Sequence, residues 1–191
     1  MLRLILLSTL LISFSATSEE TISRWMADYF ERIHKHIANE NYEKAEAELE
    51  LGNTNYFRNG RTYEAALLYQ LYGQFFAVQS QYTNAIPWFE KALASDQMPR
   101  IGEQEVRFQL AQTYFMVGKY ENVIPLLEDF IEVGEKYKFP ISARVNLLMA
   151  YSHGRLDQYE PSYHHIKIAN KKSDKPQIDW IEYAFSLAMK L

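Results

Sequence analysis

The sequence predicts an all-α solenoid of antiparallel helix pairs, and three observations predict it. The chain repeats itself: "YTNAIPWFEKAL" (82–93) returns as "YENVIPLLEDFI" (120–131), so that Tyr82, Asn84, Ile86, Pro87 and Glu90 recur as Tyr120, Asn122, Ile124, Pro125 and Glu128. Within each copy the apolar residues fall three and four apart, the spacing of one helical face. The 191 residues include only seven glycines and six prolines while 48% are hydrophobic, which favours long helices around a sizeable core.

The first segment stands outside the repeats. "MLRLILLSTLLISFSATSEE" places Arg3 before the apolar run Leu4–Ile12, followed by small-x-small sites at Ser13-Phe14-Ser15 and Ala16-Thr17-Ser18. That is the layout of a cleavable export signal, and the run is too short to span a bilayer. Residues 1–18 are expected to be removed, leaving 19–191 as one helical-repeat domain without stable membrane insertion. The chain has no cysteine, so disulfides and a lipid anchor on an N-terminal cysteine are excluded. Export without either points to the periplasm.

Four approximate repeats follow, at 22–52, 61–97, 103–136 and 140–170, with a capping helix at 175–191. In the first, "ISRWMADYFERIHKHIA" (22–38) sets Trp25, Tyr29, Ile33 and Ile37 on one stripe. Its partner helix "NYEKAEAELELG" (41–52) sets Tyr42, Ala45 and Leu49 where Tyr82, Ala85 and Phe89 stand in the second. The second and third repeats align back through their first helices, Gly73 on Ala111, Gln74 on Gln112 and Phe76 on Tyr114. Helices are expected over 64–79 and 83–95, then 104–117 and 121–135, with Ser80 and Gly118 in the turns. Pro87 and Pro125 lie near the starts of their helices, where a missing N–H sacrifices at most one bond. The fourth repeat pairs 141–153, behind Pro140, with 156–169. Its alignment sets Gly154, Leu156, Pro161 and Tyr163 on Gly118, Tyr120, Pro125 and Leu127, and so puts Tyr159 and Ile166 at positions that should be small. For the last helix, 177–190, Asp174 is a capping residue and Pro176 suits the first turn. Ile181, Ala184 and Leu187 are expected to pack inward with Lys190 in water. Trp180, Tyr183, Phe185 and Met189 add a second apolar surface, and Trp180 or Phe185 is expected in an interface with another copy or a further protein.

Helix pairs at this period, with small residues at close crossings, resemble tetratricopeptide repeats. The residues that carry the resemblance are Gly73, Ala85 and Ala92, the aromatics Tyr69, Phe76, Tyr82 and Phe89, and Pro99 near the end of the unit. From about residue 61 the chain also resembles exported tetratricopeptide proteins encoded beside TonB–ExbB–ExbD systems. "RTYEAALLYQLYGQFFAVQSQYTNAIPWFEKAL", "DQMPRIGEQE", "LAQTYF" and "KPQIDW" carry that likeness. It implies a periplasmic accessory that assists TonB-dependent uptake by touching the transducer complex.

A net charge of −4 and the lack of a basic cluster argue against nucleic-acid binding. His34 and His36 diverge on a helix, as do His164 and His165, and His153 sits alone near a turn, so no metal site and no cofactor are expected. Glu43, Glu46, Glu48 and Glu50 form a solvated face. No nucleophile elbow or phosphate loop occurs, which points away from an enzyme. The inner faces of the first helices should carry Gln70, Gln74 and Ala77, then Phe108, Gln112 and Phe115, then Val145 and Met149. An amide and aromatic groove of that kind suits a peptide or a helix. The expected function is a non-catalytic protein-binding scaffold of the cell envelope, serving the TonB system or, alternatively, outer-membrane assembly or peptidoglycan enzyme regulation.

Overall fold

A computed structural model describes residues 22, 24–56, 62–173, 175 and 177–191. The expected export segment and the proposed caps Asp174 and Pro176 lie outside them. Among the described residues there are nine helices and no strand: α1 (Arg24–Ala38), α2 (Tyr42–Tyr56), α3 (Tyr63–Val78), α4 (Tyr82–Ala94), α5 (Arg100–Met116), α6 (Tyr120–Tyr137), α7 (Ala143–Arg155), α8 (Tyr159–Lys172) and α9 (Ile178–Ala188).

One turn joins the two helices of every pair. The pairs α1/α2, α3/α4, α5/α6 and α7/α8 are each joined through a residue in the left-handed region: Glu40 (φ 57°), Ser80 (62°), Gly118 (78°) and Asp157 (57°). The backbone N–H of the residue after it closes on a carbonyl five residues back. These bonds are Asn41 to His36 at 2.9 Å, Gln81 to Phe76 at 2.9 Å, Lys119 to Tyr114 at 3.0 Å and Gln158 to His153 at 2.9 Å. Such a closure satisfies carbonyls that the helix end would leave open and reverses the chain at once. A tyrosine opens the second helix two residues after the left-handed position every time.

This turn corrects the register of the fourth repeat. The left-handed residue is Asp157, so Tyr159, and not Leu156, answers Tyr120. The second helices then align as Tyr42, Ala45, Leu49, Gly52; Tyr82, Ala85, Phe89, Ala92; Tyr120, Val123, Leu127, Phe130; and Tyr159, Ser162, Ile166, Ala169. Ser162 and Ala169 are the small residues, and both are fully buried. Gly154, read from sequence as the turn glycine, is there for close packing. A Cβ on it would collide with the Tyr183 hydroxyl and stand 3.1 Å from Ser162 Oγ.

Pro87 and Pro125 are each the sixth residue of their helix, and both are exposed. Each therefore gives up one internal bond, to the carbonyl four residues back, on the solvent side.

The chain forms two compact units, one reaching Glu103 and one beginning at Gln104. In the first, Met26, Ile33, Leu49, Leu68 and Phe75 join α1, α2 and α3. Gly73 lets α4 approach α3, since a Cβ there would meet the Phe89 ring at 2.6 Å. The Trp88 ring stacks on Tyr72 with centroids 4.2 Å apart, and the Lys91 ammonium lies 4.3 Å from the Trp88 ring centre.

In the second unit Leu147, Ala150, Ile166, Ala169 and Leu187 form the centre of α7, α8 and α9. Ser162 Oγ donates to the Ala150 carbonyl at 2.6 Å and lies 3.1 Å from the Tyr183 hydroxyl. This bond satisfies a buried hydroxyl at the crossing, beside Gly154. Helix α9 is rotated from the sequence expectation. Trp180, Tyr183, Ala184 and Leu187 face the pair, while Ile181 is 53% exposed. Two rings and a Gly154 notch shaped to Tyr183 offer more buried surface than Ile181 could. Lys190 is exposed, its ammonium 4.2 Å from the centre of the Tyr159 ring.

Candidate protein-binding face

The sequence-derived candidates separate by burial. Gln70 is 4% exposed and Met149 1%, so neither offers a surface to a partner. For Met149 the reason is the register. Once Tyr159 answers Tyr120, Met149 answers Leu110 and Tyr72, which are core positions. The residue that answers Gln112 and Gln74 is Tyr151, which the sequence reading missed. Tyr151 is half-buried, its ring centroid 4.9 Å from that of Tyr183. Its hydroxyl is pushed up in pKa, first by burial and then by Asp179 and Tyr183.

Gln74 on α3 is half-buried within the first unit. In the second unit Phe108, Gln112 and Phe115 are half-buried and share one face of α5, at spacings of four and three. Glu105 extends that face by one turn, and burial pushes its carboxyl above the ordinary range. The rings are held from the side by α6: Phe108 tilts against Phe130 at 6.0 Å, and Phe115 meets Tyr120 edge-on at 5.2 Å. Arg107 Nη1 bonds Asp129 Oδ2 at 2.8 Å beside them. The result is an amide set between two braced rings, with a partly desolvated carboxylate at one end. Such a strip can accept an apolar side chain, pair with a backbone amide, and favour a cationic or N–H group at the Glu105 end.

Of the histidines, His153 is not isolated. Its ring stacks on His165, with centroids 5.6 Å apart and planes 6° from parallel. His153 Nδ1 lies 2.6 Å from Gln158 Oε1 and His165 Nδ1 lies 3.1 Å from Asn146 Oδ1. Amide oxygens only accept, so both Nδ1 atoms carry the proton. Burial, with His153 and His164 beside it, lowers the pKa of His165 to about 4. The pair is a polar seam between α7 and α8, with His153 buried and His165 half-buried. Among the described residues no three His, Cys, Asp or Glu side chains lie close enough to share a metal ion. No helix among them is long and apolar enough to cross a membrane.

No protein-family model matches the chain, and no curated protein does. Solved structures do match. MamA from Desulfovibrio magneticus RS-1, residues 41 to the end, superposes with a TM-score of 0.70 at 14% identity, over 89% of this chain and 87% of that one. The fold is of the tetratricopeptide type. A double mutant of the same MamA gives the same TM-score and identity, and PilW, a type IV pilus biogenesis factor, matches with a TM-score of 0.50 at 12% identity, over 88% of this chain. In this architecture the strip on α5 is made of first-helix residues and is braced by the second helix of its pair, α6.

Proposed function

We propose that this chain is a non-catalytic scaffold that receives a protein segment on the α5 strip Glu105, Phe108, Gln112 and Phe115. The observation that carries this reading is the braced pair of half-buried rings around Gln112, on a fold whose usual work is protein binding. Rings fixed by Phe130 and Tyr120 lose little freedom on binding, which favours their use as anchors. Gln74 and Tyr151 are the equivalent positions on α3 and α7 and extend the same chemistry within their own units. The likeness of residues 61 onward to TonB-associated exported proteins supports the bacterial envelope as the setting, and the TonB–ExbB–ExbD transducer as the partner. A scaffold for outer-membrane assembly or for peptidoglycan enzymes is the second reading of the same surface.

A photo-crosslinking amino acid at Gln112, expressed in the native cell, tests this. Crosslinks to a TonB-system protein, abolished by Phe108→Ala with Phe115→Ala, are the expected result. Crosslinks to an assembly factor or peptidoglycan enzyme favour the second reading. If crosslinking is unchanged by the double substitution, the strip is not the binding face.

A further inference from the structure

Helix α9 turns one apolar stripe inward and a second outward. The outward stripe is Ile178 (74% exposed), Ile181 (53%), Phe185 (69%) and Met189 (75%). Their spacing of three, four and four places them along a single face about 17 Å long. At those exposures the stripe presents roughly 500–600 Å², and two such faces together reach about the 1,000 Å² at which specific interfaces begin. The stripe carries no charge of its own. Glu182, exposed, borders it one turn from both Ile178 and Phe185.

We infer that a second copy of this chain covers this stripe, through an antiparallel two-fold pairing of α9 with α9. Brought together in that sense, Ile178 of one copy faces Met189 of the other, and Ile181 faces Phe185. Every large apolar side chain meets another, so the stripe is complementary to itself, as an isologous contact requires. Antiparallel helix pairing is also the contact this fold already makes across the left-handed turn within each helix pair. Glu182 meets its own copy across the two-fold axis, and this like-charge approach keeps the dimer weak. Trp180 takes no part, because it faces α7 and α8. The contact is independent of the α5 strip, so loss of either leaves the other intact.

Sedimentation equilibrium of the full chain tests the pairing, alongside Phe185→Ser with Met189→Ser. Both proteins carry the same N-terminal segment, so the difference between them reads the stripe. A monomer–dimer equilibrium with Kd of about 10–100 µM is expected, weakened at least about tenfold in the double variant, with unchanged circular dichroism and Tm. Charge reversal then tests the symmetry. Glu182→Arg alone still opposes like charges, whereas its mixture with wild type should form heterodimer about threefold or more above the statistical share. A monomer at about 300 µM, growth beyond a dimer, association indifferent to the double substitution, or a statistical mixture each overturns the proposal.

Discussion

The α3–α4 and α7–α8 hairpins share a turn and differ in what fills their crossings. In α3–α4 a glycine makes room for a ring: Gly73 receives Phe89, and Ala85 and Ala92 close in on either side, all buried. In α7–α8 the positions of Ala85 and Phe89 are Ser162 and Ile166. A hydroxyl bonded to the Ala150 carbonyl takes the centre, and His153 stacked on His165 takes the flank. One backbone geometry thus accepts an apolar or a polar crossing. The apolar one depends on packing and holds no histidine, whereas the polar one depends on bonds and protonation states.

The largest break is expected in the apolar crossing. Phe89→Ala should cost about 3–5 kcal/mol, because Gly73 offers nothing to collapse into the cavity. Urea unfolding followed by circular dichroism measures this; a loss below about 1 kcal/mol would show the crossing repacks freely. Ser162→Ala at the polar crossing should cost less, about 1 kcal/mol, since the Ala150 carbonyl loses a second bond while the volume changes little.

Acid should separate the hairpins without any mutation. His165 has a folded pKa of about 4, lowered from an ordinary 6.5. The unfolded chain therefore binds the proton more readily. The α7–α8 seam is fully stable above about pH 6.5, and loses stability as pH falls from there toward about 4. No histidine lies in α3–α4. Hydrogen exchange, corrected for intrinsic rates, should show α7–α8 protection falling over that range while α3–α4 holds. His165→Asn should remove the difference; equal losses in both hairpins would place the sensitivity elsewhere.

The smallest effects belong to the shared turn. Gly118 has φ 78° and no atom within 4 Å of a built Cβ, so Gly118→Ala tests conformation alone and should cost about 1 kcal/mol. Ser80→Gly, at φ 62°, should shift Tm upward by a few degrees at most.

The sequence made the helix pairs legible because Tyr82 to Glu90 and Tyr120 to Glu128 repeat residue types as well as periodicity. It misplaced the fourth repeat because Gly154 has the residue type of a turn while Asp157 has its conformation. A left-handed aspartate leaves little trace in composition. In helix α9 Ala184 and Leu187 pack inward as expected, but Ile181 turns outward and Trp180 and Tyr183 turn inward, because both sides of the helix are apolar and periodicity fixes no phase when two faces qualify. Within the candidate strip, Phe108, Gln112 and Phe115 follow from alignment to α3. Tyr151 was lost with the register, and the His153–His165 stack joins residues on different helices that no local spacing reveals.

The recurrent left-handed turn also bears on how the chain reaches this state. Each turn closes a hairpin through neighbouring residues, so little loop entropy is lost before contacts such as Phe89 on Gly73 form. A chain built from such short-range closures has low contact order and folds fast, with either the α3–α4 or the α7–α8 hairpin able to act as nucleus. The hairpin ready first as the chain emerges need not wait for the others, and α7–α8 can close before α9 arrives to cover it.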